Sequence, residues 1–409
     1  MRIGGTSQRA SARAVIMLFV INAGSSSVKF SVYELSDALT LLEEGQASVR
    51  DGHVHIEAQT ASGETLSYDP DTLALEQDRV MLLLSAVLEL LERQFSGSPE
   101  AVVHRVVHGG ETFQSPVRVD AEARDALEAL VDLAPLHQPV NLAGIDAFSE
   151  RYPDVPQIAC FDTAFHAGQS SLETQYALPR DVTDAGVRKY GFHGLSYQSI
   201  CQQLPAYSVQ QPYRAVICHL GNGASICAVE NGRSVASTMG FTAVEGLPMG
   251  TRSGRLDPGV LLHLQSHFGY QLDELEHMLY QESGLKGLSG ISSDVRTLEA
   301  SDSPDAAFAI DYLAYRINAE IGALTAILGG IDLLVFTGGI GEHSSRVRLE
   351  VCERLSRWLP LAMDEQANAE QAVMLSDAAS EILILRLESN ENQYMAAQAR
   401  ALLEPQISP

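Results

Sequence analysis

The chain has very few lysines. Lys29, Lys189 and Lys286 are the only ones among 409 residues, and 27 basic against 52 acidic residues give a formal net charge of −25. Proteins that bind nucleic acid or anionic membranes without specificity present a basic face. We therefore expect neither kind of partner. An anionic substrate would need a small local cluster of positive charge.

Cysteines are also few, and long apolar runs are missing. The five cysteines have no CxxC spacing: Cys160, Cys201, Cys218, Cys227 and Cys352. An odd number in mostly apolar surroundings indicates reduced core residues of a cytoplasmic protein. No apolar run approaches the length of a membrane span. Residues 1–16 begin basic and acid-free, and we expect a leader that is disordered or foreign to the native chain.

The apolar pattern predicts an α/β protein in two similar halves. In the first half, strand-like runs at 16–22 and 28–35 flank a Gly-Ser turn, and a helical stripe follows at 78–95. In the second half, a strand, a glycine-rich turn and a further strand occupy 215–238, and a capped helix is predicted at 257–268. The length of the chain allows two domains with cores of their own.

Two turns rich in glycine and serine occupy matching positions, AGSSSVKFSV at 23–32 and LGNGASICAV at 220–229. The first is not a P-loop, because Val28 precedes Lys29 and Phe30 follows it. A third glycine-rich segment, VFTGGIGEHSSRVR at 335–348, lacks the GxGxxG dinucleotide pattern. Small residues let backbone N–H groups approach a phosphate closely. The repeated turns predict a nucleotide site, and not one for NAD.

Four further residues stand in segments suited to anion chemistry. Arg105 lies among apolar neighbours in HRVVHGGE, where an internal salt bridge and an anion ligand are both open interpretations. Asp162 follows a strand, as ligand-facing carboxylates do in open α/β sheets. His193 in GFHG, taken alone, is better interpreted as a buried, satisfied histidine, and Arg252 in MGTRSG lies on a glycine-flanked loop suited to reach a phosphate. The two histidines of HRVVHGGE lie on a predicted strand, too far apart to suggest zinc.

Taken in order, VINAGSSSVKF, HRVVHGGE, DTAFH, YGFHG, HLGNGAS, MGTRSG and FTGGIGE closely resemble the acetate kinases, from about residue 17 to the C-terminus. The resemblance implies the fold of actin, sugar kinases and heat-shock chaperone ATPases, with duplicated ribonuclease-H-like domains flanking an ATP cleft. It implies one domain from 17–166 plus 391–409 and a second from 167–390. The implied reaction converts ATP and acetate to ADP and acetyl phosphate, with Mg²⁺ (or Mn²⁺) as cofactor and a homodimer as assembly.

The same resemblance implies a role for each matching residue. The catalytic set is Asp162, Arg105, Arg252, His193 and Asn222. The implied metal ligands are Asn22, Glu391 and Asp162. The implied nucleotide-binding residues are Lys29, Ser25, Ser27, His219, Gly221, Asn222, Gly223, Gly338, Gly339, Ile340, Gly341 and His343. The acyl group would contact Arg105, Val107, Leu136, Phe192 and Ala243.

Some positions depart from the family pattern. Ala243 replaces a proline of the acyl pocket, His343 replaces an asparagine beside the nucleotide, and Asn392 replaces an acid after Glu391. The change at Ala243 leaves a propionate or other short-chain acyl kinase as an alternative. A non-catalytic nucleotide sensor or a structural actin-like protein is the alternative from another class, and the arginine pair with His193 argues against it.

Overall fold

The strands of the described residues form two β-sheets. The computed structural model describes residues 16–24, 26–36, 39–68, 78–207 and 209–404; residues 1–15, most of the predicted leader, and Ser25 lie outside these ranges. Within the described ranges the strands are β1 Met17–Ala23, β2 Ser27–Leu35, β3 Leu39–Arg50, β4 His53–Thr60, β5 Thr65–Tyr68, β6 Ala101–Val106, β7 Val117–Arg118, β8 Gln157–Phe161, β9 Arg214–Leu220, β10 Ala224–Glu230, β11 Arg233–Ser237, β12 Leu333–Thr337 and β13 Leu383–Arg386.

The two sheets repeat one topology. The first has the order β5-β4-β3-β2-β1-β6-β8-β7 and the second β11-β10-β9-β12-β13. In each, an antiparallel meander of three strands (β1–β3, β9–β11) is extended by two parallel strands, β6 and β8 or β12 and β13. The first sheet adds β4 and β5 at one edge and β7 at the other. This duplication confirms the predicted α/β fold.

The α-helices cover both faces of these sheets. Within the described ranges they are α1 Arg79–Gln94, α2 Ala121–Glu128, α3 Gln138–Arg151, α4 Ser171–Thr174, α5 Arg180–Asp184, α6 Gly194–Gln203, α7 Pro258–His263, α8 Leu272–His277, α9 Gly284–Ser289, α10 Val295–Glu299, α11 Pro304–Leu328, α12 Gly338–His343, α13 Ser345–Leu355, α14 Glu365–Ala369 and α15 Glu391–Leu403. None of the described helices is long and apolar enough to cross a membrane.

Helix starts follow the capping residues of the sequence. The side chain of Asp78 accepts a hydrogen bond from Val80 at the start of α1, and Ser303 caps α11 just before its first residue, Pro304. The helix predicted at 257–268 is α-helical only to His263, and its last five residues form a π-helical turn. It ends at Gly269, whose positive φ of 75° suits glycine.

The carboxyl ends of parallel strands from both sheets border a common cleft. Helices α1 and α3 cover one face of the first sheet, and α15 and the start of α6 cover the other. Helices α11 and α13 pack on the second sheet. The chain passes from the first sheet to the second after β8 and returns between β13 and α15. Both glycine-rich turns lie with the carboxyl ends of β6, β8 and β12, which is where open α/β sheets bind ligands.

Candidate active site

An arginine and an aspartate from neighbouring parallel strands form the centre of the site. Arg105 of β6 donates from Nε and Nη2 to the two carboxylate oxygens of Asp162, at 3.0 and 2.6 Å. Its Nη1 lies 3.4 Å from Oδ1 of Asn22, near the end of β1. Asp162 directly follows β8, so the strand ends place all three side chains on one sheet face. The bidentate pairing fixes the plane of the guanidinium.

The electrostatics of this pair favour a permanently charged Arg105. Its side chain is 22% exposed, and Glu391 at the start of α15 brings Oε2 to 4.0 Å from Nε. Burial disfavours the charge, but the carboxylates of Asp162 and Glu391 outweigh it and raise the pKa of Arg105 above its usual value. A fixed positive charge therefore lies at the cleft, with two carboxylates beside it.

His193 lies where the chain enters α6, in a strained conformation. Its φ is +60°, a left-handed value that non-glycine residues seldom adopt. Nδ1 is 2.8 Å from Oγ of Ser225, which also bonds the hydroxyl of Tyr197. Burial, with the neighbouring His219, Arg105 and Arg252, lowers the pKa of His193 well below its ordinary value. These surroundings favour the neutral form of the imidazole.

The second glycine turn meets His193 and Arg252 at one point. A Cβ placed on Gly223 would lie 3.4 Å from Nε2 of His193 and 3.8 Å from Nη1 of Arg252. Arg252 also donates to the carbonyl oxygen of Ala243 at 3.1 Å, and burial lowers its pKa. Asn222 accepts a hydrogen bond from Gly250 at 3.1 Å, which ties the turn to the loop of Arg252. The backbone of Gly223 therefore lies in contact range of both the imidazole and the guanidinium.

Beside this point opens a cleft of about 780 Å³. Five of its lining residues were predicted as nucleotide contacts: Gly221, Asn222, Gly339, Ile340 and His343. Others, which the sequence analysis did not single out, are Ser293, Asp294, Val295, Arg296, Glu299 and Ser344. Gly338 has a φ of +75°, and a Cβ there would lie 2.8 Å from the carbonyl oxygen of Leu220. Only glycine allows this close approach of the third glycine segment to the second.

Four of the five predicted acyl contacts also come together, and the fifth, Arg105, is not among the residues that line their pocket. Val107, Leu136, Phe192 and Ala243 line one small pocket between the halves. His137 and Tyr280 line it too, and neither was predicted. Burial, together with the charges of Arg252 and Arg105, lowers the pKa of His137 to about 4. The pocket is lined mainly by apolar side chains, and His137 on its wall feels the positive charge of both arginines.

Two predicted nucleotide contacts, Lys29 after the first glycine turn and His219 before the second, are not among the residues that line the cleft of about 780 Å³. The N–H of Gly24 donates to the carbonyl oxygen of Ser27 at 2.9 Å and closes the turn. Lys29 lies directly opposite Asn22 in the β1–β2 ladder, but it lines a separate surface pocket with Glu44. His219 bonds Oγ of Ser196 at 2.7 Å, and its ring lies 4.4 Å from that of His193.

Comparison with known proteins decides the family. The sequence model of the acetokinase family matches residues 17–398. The chain belongs to the acetokinase family. Among its relatives, the acetate kinase of Rhodopseudomonas palustris is 48% identical over 360 residues, which cover 86% of this chain and 89% of that protein. The acetate kinase of Nitrobacter hamburgensis is 42% identical, covering 94% of this chain and 96% of its own.

Solved structures of an acetate kinase and a propionate kinase share the fold. Porphyromonas gingivalis acetate kinase aligns with a TM-score of 0.85 at 32% identity, covering 95% of this chain and 100% of that one. A propionate kinase from Francisella tularensis aligns with a TM-score of 0.86 at 30% identity, covering 94% and 98%. The predicted family, the actin-like ATPase fold and the class of kinase with a carboxylate acceptor are therefore confirmed.

Two features of the acetokinase site had no signal in the sequence reading. His137 directly precedes α3, within an unremarkable PLHQP segment, and Tyr280 lies in the stretch that follows α8. The pair Asp294 and Arg296 had a weak signal. Asp294 caps α10 by accepting from the N–H of Arg296, and its carboxylate also binds the guanidinium at 2.6 Å. An Asp-x-Arg sequence at a helix start indicates a capping aspartate with an arginine beside it that can contact a ligand.

Proposed function

We propose that this chain transfers the γ-phosphate of ATP reversibly to acetate, giving acetyl phosphate and ADP by direct in-line displacement. The observation that carries the proposal is the convergence of Arg252 and His193 beside Gly223, with the charge of Arg105 also acting on His193. Arg105 comes from the first half of the chain and Arg252 from the second. A phosphoryl group bound between the halves would be met by positive charge from both sides.

The chemistry asks for alignment more than for acid–base catalysis. The nucleophile is a carboxylate, which is ionised at neutral pH, so no strong general base is needed. The transferring phosphoryl group carries charge on its equatorial oxygens, and catalysis consists of positioning and neutralising that charge. Arg252, whose guanidinium has no carboxylate partner among the described residues, is free to do so. Arg105 would hold the acyl or phosphoryl oxygens next to Asp162.

A neutral His193 fits the role of hydrogen-bond donor. If the hydroxyl of Tyr197 donates to Ser225 and Ser225 donates to Nδ1, the proton of the imidazole resides on Nε2, which faces Gly223. From there it would donate to an oxygen of the transferring group. Asn222, on the same turn, would donate its amide to a neighbouring phosphate oxygen. These are donors aimed where negative charge develops.

The oxygen ligands beside Arg105 fit a magnesium ion. Asn22, Asp162 and Glu391 offer an amide oxygen and two carboxylates, the hard ligands that Mg²⁺ prefers. No group of three or more His, Cys, Asp or Glu side chains suited to a metal occurs in the described part of the chain. Mg²⁺ in kinases is commonly held by one or two carboxylates with substrate phosphates and waters completing its shell. Bound there, Mg²⁺ (or Mn²⁺) would neutralise phosphate charge.

We also propose that the enzyme is a homodimer. The segment from α7 to α8 exposes large apolar side chains, with Leu262, Phe268 and Leu272 each at least two-thirds exposed. Exposed apolar patches mark interaction surfaces. Sedimentation velocity tests this: the wild type should sediment as a dimer, and Leu262→Glu should sediment as a monomer. A monomeric wild type at micromolar concentration would reject the dimer.

A cytoplasmic location is proposed because the five cysteines are unpaired.

The experiment that tests the function is a hydroxamate assay for acyl phosphate, run with acetate, propionate and butyrate. We expect acetyl hydroxamate formation that depends on ATP and divalent metal. Ala243 in the acyl pocket favours propionate as a second substrate, because alanine leaves more room than the proline usual at this position. No acyl phosphate from any of the three acids would reject the proposal.

A further inference from the structure

One carboxylate in the third glycine segment joins two distant parts of the chain. Oε1 of Glu342 accepts hydrogen bonds from the N–H of Gly338 at 2.9 Å and from the hydroxyl of Thr337 at 3.2 Å. It also accepts one from the N–H of Ser389 at 3.3 Å, 47 residues along the chain. The first two bonds are local to the nucleotide cleft. The third reaches the segment in which the chain returns from the second sheet to the first.

Arg348 fixes the backbone at Glu342. Arg348 is fully buried, and its Nη1 donates to the carbonyl oxygens of Gly341 and Glu342, each at 2.9 Å. Its remaining donors bind Asn368 and Gln371, at 2.8 Å in each side-chain contact. Because this guanidinium is satisfied by oxygens on both sides, the backbone of α12 has little freedom. The carboxylate of Glu342 is therefore a rigid extension of the segment that lines the cleft.

Ser389 lies two residues before Glu391, the first residue of α15. The same short segment is held by the hydroxyl of Ser199, which accepts from the N–H of Asn390 at 2.8 Å. The carboxylate of Glu391 lies 4.0 Å from Nε of Arg105. Glu342 thus joins the wall of the nucleotide cleft to Ser389, in the segment that leads into Glu391 beside the Arg105–Asp162 pair.

We propose that Glu342 is a positioning residue that couples occupation of the nucleotide cleft to the placement of Glu391. A nucleotide packed against Gly339 and Ile340 adds further contacts to the already fixed α12, and the bond from the Ser389 N–H to Glu342 transmits this stabilisation to the start of α15. The coupling is reciprocal, so ordering at Glu391 in turn favours the nucleotide. The inference rests on the proposed roles of the cleft and of Glu391.

Hydrogen exchange provides a readout independent of turnover. We expect ADP, added without metal, to slow exchange in the 388–396 peptide of the wild type and to leave it unchanged in Glu342→Ala. Glu342→Gln keeps an oxygen acceptor and should restore the protection. Thr337→Val is the matched control, because it removes one bond to the same carboxylate and leaves the bond to Ser389. Equal protection by ADP in Glu342→Ala and the wild type would overturn the proposal.

A double-mutant cycle supplies the second test. Glu342→Ala should raise the Mg²⁺ concentration for half-maximal rate about tenfold in the wild-type background and have no further effect in Glu391→Ala, because residues acting through one another are non-additive. Independent, multiplicative effects would overturn the coupling. An unchanged Mg²⁺ requirement in Glu391→Ala alone would instead reject the proposed metal role. If Glu342→Ala fails to fold, Glu342→Asp, one methylene too short to reach Ser389, takes its place in both experiments.

Discussion

Replacing Ala243 with proline should restrict the acyl pocket and leave the arginines in place. Ala243 lines the pocket with Val107 and Phe192, and its carbonyl oxygen accepts from Nη1 of Arg252 at 3.1 Å. Proline keeps that carbonyl, and no hydrogen bond from the N–H of Ala243 occurs among those of the described residues. The substitution therefore adds pocket wall without removing a described contact of Arg252.

The size of the effect follows from the two carbons that the proline ring adds. At about 0.8 kcal/mol per buried methylene, they are worth roughly 1–2 kcal/mol of contact with an acyl chain of fitting length. A propionate methylene that enters this space in the wild type would be displaced in the variant. Because 1.4 kcal/mol corresponds to a factor of ten, the ratio of kcat/KM for acetate over propionate should rise about tenfold.

The assay compares kcat/KM for acetate and propionate in the wild type, Ala243→Pro and Val107→Ala. Val107→Ala enlarges the same pocket, so its ratio should move in the opposite direction. Acetate turnover in Ala243→Pro should stay within a few-fold of the wild type. An unchanged ratio in both variants would mean that these side chains do not contact the acyl group, and the argument for chain-length preference would fail while the kinase assignment stands.

Three further predictions concern charge. Arg252→Ala should lower kcat about 10²–10³-fold, as expected for loss of an electrostatic stabiliser; a folded variant with near-normal kcat would remove Arg252 from the mechanism. Asp162→Asn should raise the Mg²⁺ requirement in a metal titration while circular dichroism shows a folded protein, and if the variant unfolds, Asp162 is structural. Glu43 is a buried carboxylate, and burial raises its pKa to about 7. Between pH 4.5 and 7 the unfolded chain therefore releases a proton that the folded chain retains. The free energy of unfolding falls as pH rises through this window. Glu43→Gln should therefore raise Tm at pH 8 and not at pH 4.5, whereas a gain at both pH values, or one matched by the exposed control Glu44→Gln, would refute this reading.

The fold was predictable because its signals are local. The Gly-Ser turn before β2 and the GNG turn before β10 recur with the same apolar flanks, and each lies within one hairpin. The capping residues of α1 and α11 likewise act within one helical turn. Period and capping are properties of neighbouring residues, so one sequence is enough to show them.

The contacts that complete the site could not be predicted in the same way. The pairing of Arg105 with Asp162 spans 57 residues, and only the parallel alignment of β6 and β8 brings the two together. Glu342 looked like an ordinary acid after a glycine run, and its bond to Ser389 depends on how the chain returns to the first sheet. His137 reaches the acyl pocket because α3 begins there. Such contacts are set by packing of whole elements and not by spacing along the chain.

The two passages of the chain between the sheets have a mechanical consequence. With one connection after β8 and the other between β13 and α15, the line joining them is a natural hinge axis, about which the halves can rotate without breaking a ladder hydrogen bond in either sheet. Asp162 follows β8 and Glu391 begins α15, so both carboxylates lie at the pivots. Points near an axis move least. A rotation about this line would open the cleft and leave the spacing of its two carboxylates nearly constant.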